Sequence, residues 1–264
     1  MIDIHTHVLP GIDDGAQDIF ESFEILQALA NQGVTELVAT PHIISGVYEN
    51  TRSIIDRKLI EVQVLIEERE LSIKIHPGAE LYCEPDVVSK VKNENLTLAN
   101  SNYILIETEL QRFPDNFEEI LFNFQQDGFL PILAHAERFS PFMNDIDYLL
   151  KIVNREIYIQ MNSGSILGVY GNAVRNLALE MLNIGCVHVI ASDVHGLKKR
   201  PILMKDAYDF VASNQSKEIA EILFYENPKR ILHNEPLIHN FDGYFEERKK
   251  TGSLKNKLKS IFKL

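Results

Sequence analysis

The hydrophobic pattern of the chain alternates between two periods. Runs rich in β-branched residues predict seven strands, at residues 2–5, 36–40, 73–76, 103–107, 131–135, 157–161 and 188–192. Apolar residues at helical spacing between these runs predict six helices, at residues 19–30, 51–69, 117–126, 146–153, 173–182 and 201–212. Nearly continuous apolar strands that alternate with helices indicate an α/β protein with a parallel, helix-covered sheet.

Histidines and acids gather at the carboxyl ends of the predicted strands. Six of the seven strands end in, or lead into, such residues. An open doubly wound sheet would give the same alternation, but only a barrel brings the ends of all its strands to one face. We therefore expect a distorted TIM-like (β/α)7 barrel. No repeat or flexible linker divides the sequence, so we expect one domain over residues 1–247 and a basic tail over 248–264.

The spacing of the strand-end residues is typical of metal ligands. His5 and His7 stand two positions apart, so both imidazoles point to one face of the strand, and Asp193 and His195 repeat the arrangement. One such pair is weak evidence, because a single histidine is more often a satisfied core residue. Their joint occurrence favours a site. The candidate ligands are His5, His7, Asp14, His42, Glu80, Glu107, His135, Asp193 and His195.

The chemistry of this set indicates divalent metal ions. Imidazole and carboxylate donors suit manganese, iron and zinc, and the set contains no thiolate. Nine candidates exceed the roughly four to six ligands of one ion, which indicates two or three ions with shared carboxylates. Asp13 and Glu137 adjoin candidates and are interpreted as supporting or surface residues. Four further histidines lie outside the pattern: His76, His188, His233 and His239.

Two arginines follow strand ends closely. Arg138 comes three residues after His135, and Arg200 comes five residues after His195. A guanidinium group binds phosphate oxygens in a bidentate manner and keeps its charge at any relevant pH. Either arginine alone could equally pair with a surface acid. Beside a metal site, phosphate binding is the better interpretation.

The charge distribution disfavours nucleic acid as a partner. The 264 residues carry a net charge of −12, and the tail holds seven basic residues and no acid. Without that +7 the body carries −19, which would repel the phosphates of DNA or RNA. Apolar residues recur in the tail at helical spacing among the lysines. This pattern predicts either a short helix at a membrane surface or a frayed terminus.

The amino terminus and the cysteines indicate a cytoplasmic protein. The first ten residues contain an acid and two histidines, unlike a signal peptide, and no run of 18 apolar residues occurs in the chain. The two cysteines, Cys83 and Cys186, give no disulfide framework.

The motifs resemble those of the PHP (polymerase and histidinol phosphatase) superfamily. The chain has its opening His5-Thr6-His7, a Pro41-His42 after the second strand and a late Asp193-Val194-His195. It further resembles the manganese-dependent protein-tyrosine phosphatases of bacterial capsule and exopolysaccharide operons, the CpsB/YwqE type. The matching segments are 2–16, 77–80, 103–107, 135–138, 162–165 and 191–195. Ala136 and Ile43 depart from the usual proline and polar residue.

The resemblance implies a PHP fold with three divalent ions held by the nine candidates, manganese first and iron or zinc as alternatives. It also implies phosphate binding by Arg138 and Arg200. The implied substrates are phosphotyrosines in the tail of a membrane-associated bacterial tyrosine kinase that controls polysaccharide export. We expect His42 or His135 to protonate the leaving oxygen.

A cysteine-dependent route is absent from the sequence. Such tyrosine phosphatases need an arginine six positions after the cysteine, whereas Ser89 follows Cys83 and Ser192 follows Cys186 at that spacing. Two alternatives to the tyrosine phosphatase stay open. One is a histidinol-phosphate phosphatase of the PHP class, and the other is a phosphotyrosine-binding module without catalysis.

Overall fold

A computed structural model describes residues 1–197 and 201–239 of the protein. Its strands are β1 Ile2–Thr6, β2 Glu36–Ala39, β3 His42–Ile43, β4 Lys74–Pro77, β5 Glu80–Tyr82, β6 Tyr103–Glu107, β7 Leu130–Leu133, β8 Tyr158–Asn162 and β9 Val189–Ala191. Its helices are α1 Ile19–Asn31, α2 Arg52–Glu68, α3 Val87–Glu94, α4 Phe117–Gln126, α5 Ser140–Asn144, α6 Ile146–Val153, α7 Ser163–Ile166, α8 Asn172–Asn183, α9 Met204–Asn214, α10 Lys217–Glu221 and α11 Asn227–Leu232. A π-helical segment, Ile222–Glu226, joins the last two helices.

Local capping explains where the longer helices begin. The carboxylate of Asp18 accepts hydrogen bonds from the amides of Phe20 and Glu21 at the start of α1. The hydroxyl of Thr51 accepts one from the amide of Ile54 at the start of α2. These side chains satisfy amides that have no partner within the helix.

The strands run in sequence order around a distorted barrel. One sheet contains β1, β2 and β4, and the other has the order β3, β5, β6, β7, β8, β9, with every pair parallel. Only two residues separate β2 from β3, and likewise β4 from β5. The ring closes where Thr6 bridges to Val194 and the amide of Asp193 donates to the carbonyl of His5 at 3.0 Å. The predicted fold class is confirmed.

Buried apolar side chains form two clusters on the two faces of the strands. The smaller one includes Ile4, Leu105 and Ile132 and contains no residue of the outer helices α1, α2, α4, α6 or α8, so it lies inside the ring. The larger one joins the other strand face to those helices, as at Leu26 and Phe124. Each square ångström of apolar surface buried contributes about 25 cal/mol, so these clusters fix the strands that carry the polar residues.

All seven predicted strands and all six predicted helices occur, with ends displaced by at most three residues. The pattern missed β3 and β5, which have two and three residues and are too short to show a period. It also missed α3 and the short helices α5, α7, α10 and α11. Arg200 and the tail 248–264 lie outside the described residues. Among the described residues, none of the helices combines the length and apolar content of a membrane span.

Candidate metal centre

The carboxyl ends of the strands bring the nine predicted ligand residues into one cluster. Their donor atoms form three overlapping groups, each with its atoms within 4.8 Å of one another: His7, Asp14, His42 and His195; His5, His7 and Asp193; His42, Glu80 and Glu107. The ninth residue, His135, has Nε2 3.1 Å from Oε1 of Glu80. Because His7 and His42 each belong to two groups, the groups form a single continuous cluster.

Glu80 lies at the middle of the cluster. Its Oε2 is 3.1 Å from Nε2 of His5, 3.2 Å from Nε2 of His7 and 3.1 Å from Nδ1 of His42. This oxygen is buried and makes no hydrogen bond within the described residues. A carboxylate among several imidazole nitrogens is a donor set that could hold a divalent ion.

Oxygen atoms behind the cluster fix the orientation of three histidines. Nδ1 of His5 lies 3.0 Å from the side-chain oxygen of Gln160, and Nδ1 of His7 lies 2.7 Å from Oδ2 of Asp13. Nδ1 of His195 lies 3.0 Å from the carbonyl of Asp193. Each oxygen can only accept, so Nδ1 carries a hydrogen, and Nε2 is the nitrogen left on the cluster side to bind either a proton or a metal ion. Metal-ligating histidines are held in this way.

The carboxylates of the cluster raise the pKa values of two of its histidines. Nε2 of His5 and Nε2 of His7 face each other at 3.1 Å. Burial opposes the charged form of His5, but the charges of Glu80 and Asp193 outweigh burial and raise its pKa to about 9. Burial likewise opposes protonation of His42, yet Glu80, Asp14 and Glu107 together raise its pKa to about 12.

Burial and neighbouring charges also act in opposite directions on the pKa of Glu80. Burial works against its charge, and the neighbouring histidines nevertheless hold the pKa of its carboxyl well below the usual range. Without a metal, protons thus occupy the places that cations would take, and metal binding releases such protons. The nitrogen and oxygen donors present fit divalent ions of the manganese, iron or zinc type.

Two residues of the cluster have a left-handed backbone. His135 has φ of 36° and Asp193 has φ of 53°, and each is the second residue after the end of a strand. Such values are uncommon for residues other than glycine, and each costs about 1–3 kcal/mol. At these two positions the chain turns away from the strand direction and carries the side chain into the cluster.

The loop after β1 approaches its own strand because residue 15 is glycine. A Cβ atom at Gly15 would lie 2.2 Å from the carbonyl oxygen of His7. The close approach brings Asp13 to His7, and it places Oδ1 of Asp14 3.3 Å from Nε2 of His42 and 3.2 Å from Nε2 of His195. Asp13 is buried and supports His7, so of its two predicted roles the supporting one is confirmed.

Arg138 reaches the edge of the cluster. Its Nη1 is 3.6 Å from Oδ2 of Asp193, and its Cζ lies 4.7 Å from the centre of the Tyr170 ring. The side-chain Nδ2 of Asn162 donates to the same Asp193 oxygen at 2.7 Å. The guanidinium therefore lies beside the candidate ligands.

The sequence interpretation missed two supporting residues, Gln160 and Asn162, and left the role of Glu137 open. Gln160 and Asn162 lie on the interior face of β8, where Gln160 also accepts from the amide of His135 at 2.9 Å. Two polar residues alternating in a buried strand are a signal in themselves, because buried polar groups need partners. Glu137 is buried and accepts hydrogen bonds from the amide of Asn162 and the hydroxyl of Ser165, which excludes a surface role.

Neither cysteine is suited to nucleophilic chemistry. Cys83 and Cys186 are buried and do not form a disulfide. Burial raises the pKa of the Cys83 thiol to about 12, and burial also raises that of Cys186. Thiols in such surroundings are inert.

Comparison with protein families gives a match over most of the chain. Residues 1–233 match the family described as "Capsular polysaccharide synthesis, CpsB/CapC". The chain belongs to the CpsB/CapC family. Family membership confirms the closer of the two resemblances seen in the sequence.

Named relatives in the CpsB/CapC family are tyrosine-protein phosphatases. The chain is 32% identical over 238 residues to the putative tyrosine-protein phosphatase CapC of Staphylococcus aureus, which covers 89% of this chain and 92% of the relative. It is 33% identical over 240 residues to the tyrosine-protein phosphatase CpsB of Streptococcus agalactiae serotype V, with 89% and 99% covered.

Solved structures show the same fold. A structure from work on YwqE of Bacillus subtilis and CpsB of Streptococcus pneumoniae, called metal-dependent tyrosine phosphatases, has a TM-score of 0.87 at 28% identity and covers 91% of this chain and 98% of that one. A histidinol phosphate phosphatase of Lactococcus lactis has a TM-score of 0.52 at 13% identity, with 84% and 94% covered. At that identity the second similarity shows the fold alone.

Proposed function

We propose that this chain is a metal-dependent phosphomonoester hydrolase that removes phosphate from tyrosine side chains of proteins. The observation that carries the proposal is the buried cluster around Glu80, in which three histidines present Nε2 under fixed tautomers and Arg138 lies at the edge. The names of the CpsB/CapC relatives support the tyrosine substrate.

The proposed cofactor is a group of three divalent ions, with manganese favoured over iron or zinc. The ligands would be His5, His7, Asp14, His42, Glu80, Glu107, His135, Asp193 and His195. Three such ions against four carboxylates leave about +2, a charge that attracts phosphate to an otherwise acidic protein. When bound, divalent ions supply an activated water and polarise phosphoryl oxygens.

The chain's own residues would bind the phosphate and handle the proton. Arg138, with Arg200 from the sequence, would donate hydrogen bonds to the non-bridging oxygens and stabilise the charge that develops on them. His42 or His135 would give a proton to the leaving phenolate oxygen. The side chains of His42 and His135 are 11% and 6% exposed.

The proposed substrate is the phosphorylated tail of a membrane-associated tyrosine kinase that controls polysaccharide export. The family's role in capsular polysaccharide synthesis supports this partner. The division into a phosphatase domain, 1–247, and a basic tail, 248–264, is part of the proposal: the tail would bring the enzyme to anionic lipid at the cytoplasmic face. Co-sedimentation with phosphatidylglycerol vesicles tests the tail, and equal pelleting with and without residues 248–264 would exclude this role.

Turnover of three compounds by the manganese-loaded protein tests the function. We expect phosphate release from a phosphotyrosine peptide and little from histidinol phosphate or from the matching phosphoserine peptide. Preference for histidinol phosphate would replace the proposal with its metabolic alternative. Tight binding of the phosphotyrosine peptide without phosphate release would show a binding module.

A further inference from the structure

Half of the exposed large apolar side chains in the described residues lie at one face of the barrel. Phe20 is 72% exposed, Val47 65%, Val169 42% and Leu197 42%. Each lies in a segment that directly follows a strand, between β1, β3, β8 or β9 and the next long helix or at its first turn. The others are on the outer helical surface: Ile60, Val64, Phe122 and Tyr225.

Two of these apolar residues are sequence neighbours of side chains that contact His42 or Arg138. Val47 adjoins Tyr48, whose ring stacks on His42 with centroids 5.6 Å apart. Val169 adjoins Tyr170, whose ring lies beneath the guanidinium of Arg138. Both apolar residues are therefore one position away from a side chain in contact with the site.

The other two residues lie in segments that pack against each other. Leu197 comes two residues after His195 of the cluster. A Cβ atom at the intervening Gly196 would lie 2.8 Å from Oε1 of Glu21, so this segment packs against the first turn of α1. Phe20 lies in the same turn as Glu21, so Phe20 and Leu197 belong to two segments that are in contact.

We propose that Phe20, Val47, Val169 and Leu197 form an apolar rim that binds the polypeptide segment carrying the phosphorylated residue, with its apolar side chains on either side of that residue. This inference rests on the proposed function and specifies its substrate. Two members of the rim directly precede Tyr48 and Tyr170, whose rings contact His42 and Arg138. Isolated exposed apolar residues are ordinary, but several around one charged opening mark an interaction site.

The chemistry of the rim also selects the partner's sequence. Its four side chains are uncharged, whereas the body of the protein carries −19. An acidic segment would be repelled, and a strongly basic one would have no preference for the rim over the rest of the surface. Apolar flanking residues would gain from burial against the rim alone.

Steady-state kinetics with matched substrates and variants tests the rim. The substrates are a phosphotyrosine peptide with leucines beside the tyrosine, the same peptide with serines there, and phosphotyrosine itself. One variant combines Phe20→Ser, Val47→Ser, Val169→Ser and Leu197→Ser, and a second carries only Phe20→Ser and Leu197→Ser. The control combines Ile60→Ser, Val64→Ser and Phe122→Ser on the outer helices. Thermal unfolding and metal content confirm that all variants are folded and loaded.

The expected result is a loss of peptide preference confined to the rim variants. The ratio of kcat/KM for the leucine peptide to that for phosphotyrosine should fall at least about fivefold in the quadruple variant, mainly through KM. The fall should be smaller in the double variant. The control should keep the wild-type ratio. An unchanged ratio in the quadruple variant would overturn the proposed role of the rim. Equal kcat/KM of the wild type for the leucine and serine peptides would also overturn it. Failure of the wild type to release phosphate from any of the three compounds would instead overturn the proposed function.

Discussion

The guanidinium of Arg138 lies over the ring of Tyr170, with Cζ 4.7 Å from the ring centre, while its Nη1 stays 3.6 Å from Oδ2 of Asp193. The aromatic face and the carboxylate thus hold one cation from two sides. Tyr170 follows Gly168 and precedes Gly171, both with positive φ, so its loop folds back toward Arg138. The arrangement keeps the guanidinium at the edge of the cluster before any phosphate binds.

Replacing Tyr170 tests this support. Tyr170→Leu should raise the inhibition constant of inorganic phosphate about two- to fivefold, because an exposed cation–π contact contributes roughly 0.5–1 kcal/mol. Tyr170→Phe keeps the ring and should bind phosphate like the wild type. Tyr225→Leu is a matched control, since Lys229 lies over that ring far from the site. Equal phosphate inhibition of the leucine and wild-type proteins would refute a supporting role.

Arg138 itself should matter far more. Under the proposed function, Arg138→Ala removes a donor to the charge of the transition state, and we expect kcat/KM on a phosphotyrosine peptide to fall about 10²- to 10³-fold. Arg138→Lys should recover only part of this, because an ammonium group lacks the bidentate geometry. Arg112→Ala, at a side chain 83% exposed, serves as the control. A loss below about threefold in the alanine variant would remove Arg138 from phosphate binding.

Asp13 should act through His7. Asp13→Asn replaces the carboxylate 2.7 Å from Nδ1 of His7 and weakens the hold on its tautomer. We expect metal affinity, measured by calorimetric titration, to fall about 10- to 100-fold. Asp209→Asn, which loses only an exposed pair with Lys205, should not change it. Undiminished affinity in the Asp13 variant would mean that His7 needs no such partner.

The thiols should be dispensable. Cys83→Ser should retain activity within about twofold, since a buried thiol of raised pKa is a poor nucleophile. A second measurement uses the wild-type protein and compares phosphate release before and after treatment with the alkylating agent iodoacetamide. Loss of turnover in the variant, with normal folding and metal content, would show that Cys83 takes part in the reaction.

Periodicity and strand-end chemistry were enough to predict the barrel and the members of the cluster. The signal was strong because His5, His7, Asp193 and His195 lie at the carboxyl ends of apolar strands, and the strands of a parallel sheet all run in the same direction. Membership of one cluster followed from topology, since parallel strands put their carboxyl ends on one face.

The supporting residues could not be predicted in the same way. Whether Asp13 would meet His7 depended on a loop that closes only because Gly15 has no side chain. The pairing of Gln160 with His5 joins residues 155 positions apart, and neither strand alone specifies it. The contact between Tyr170 and Arg138 depends on loop geometry, which hydrophobic periodicity does not encode.

Metal removal and restoration tests the central claim most directly. The purified protein would be treated with a chelator, dialysed and titrated with Mn²⁺, with metal content and phosphate release from a phosphotyrosine peptide measured on the same samples. We expect activity to vanish with the metal and to return as manganese approaches about three ions per chain. Full turnover by a protein shown to contain no metal would contradict the account.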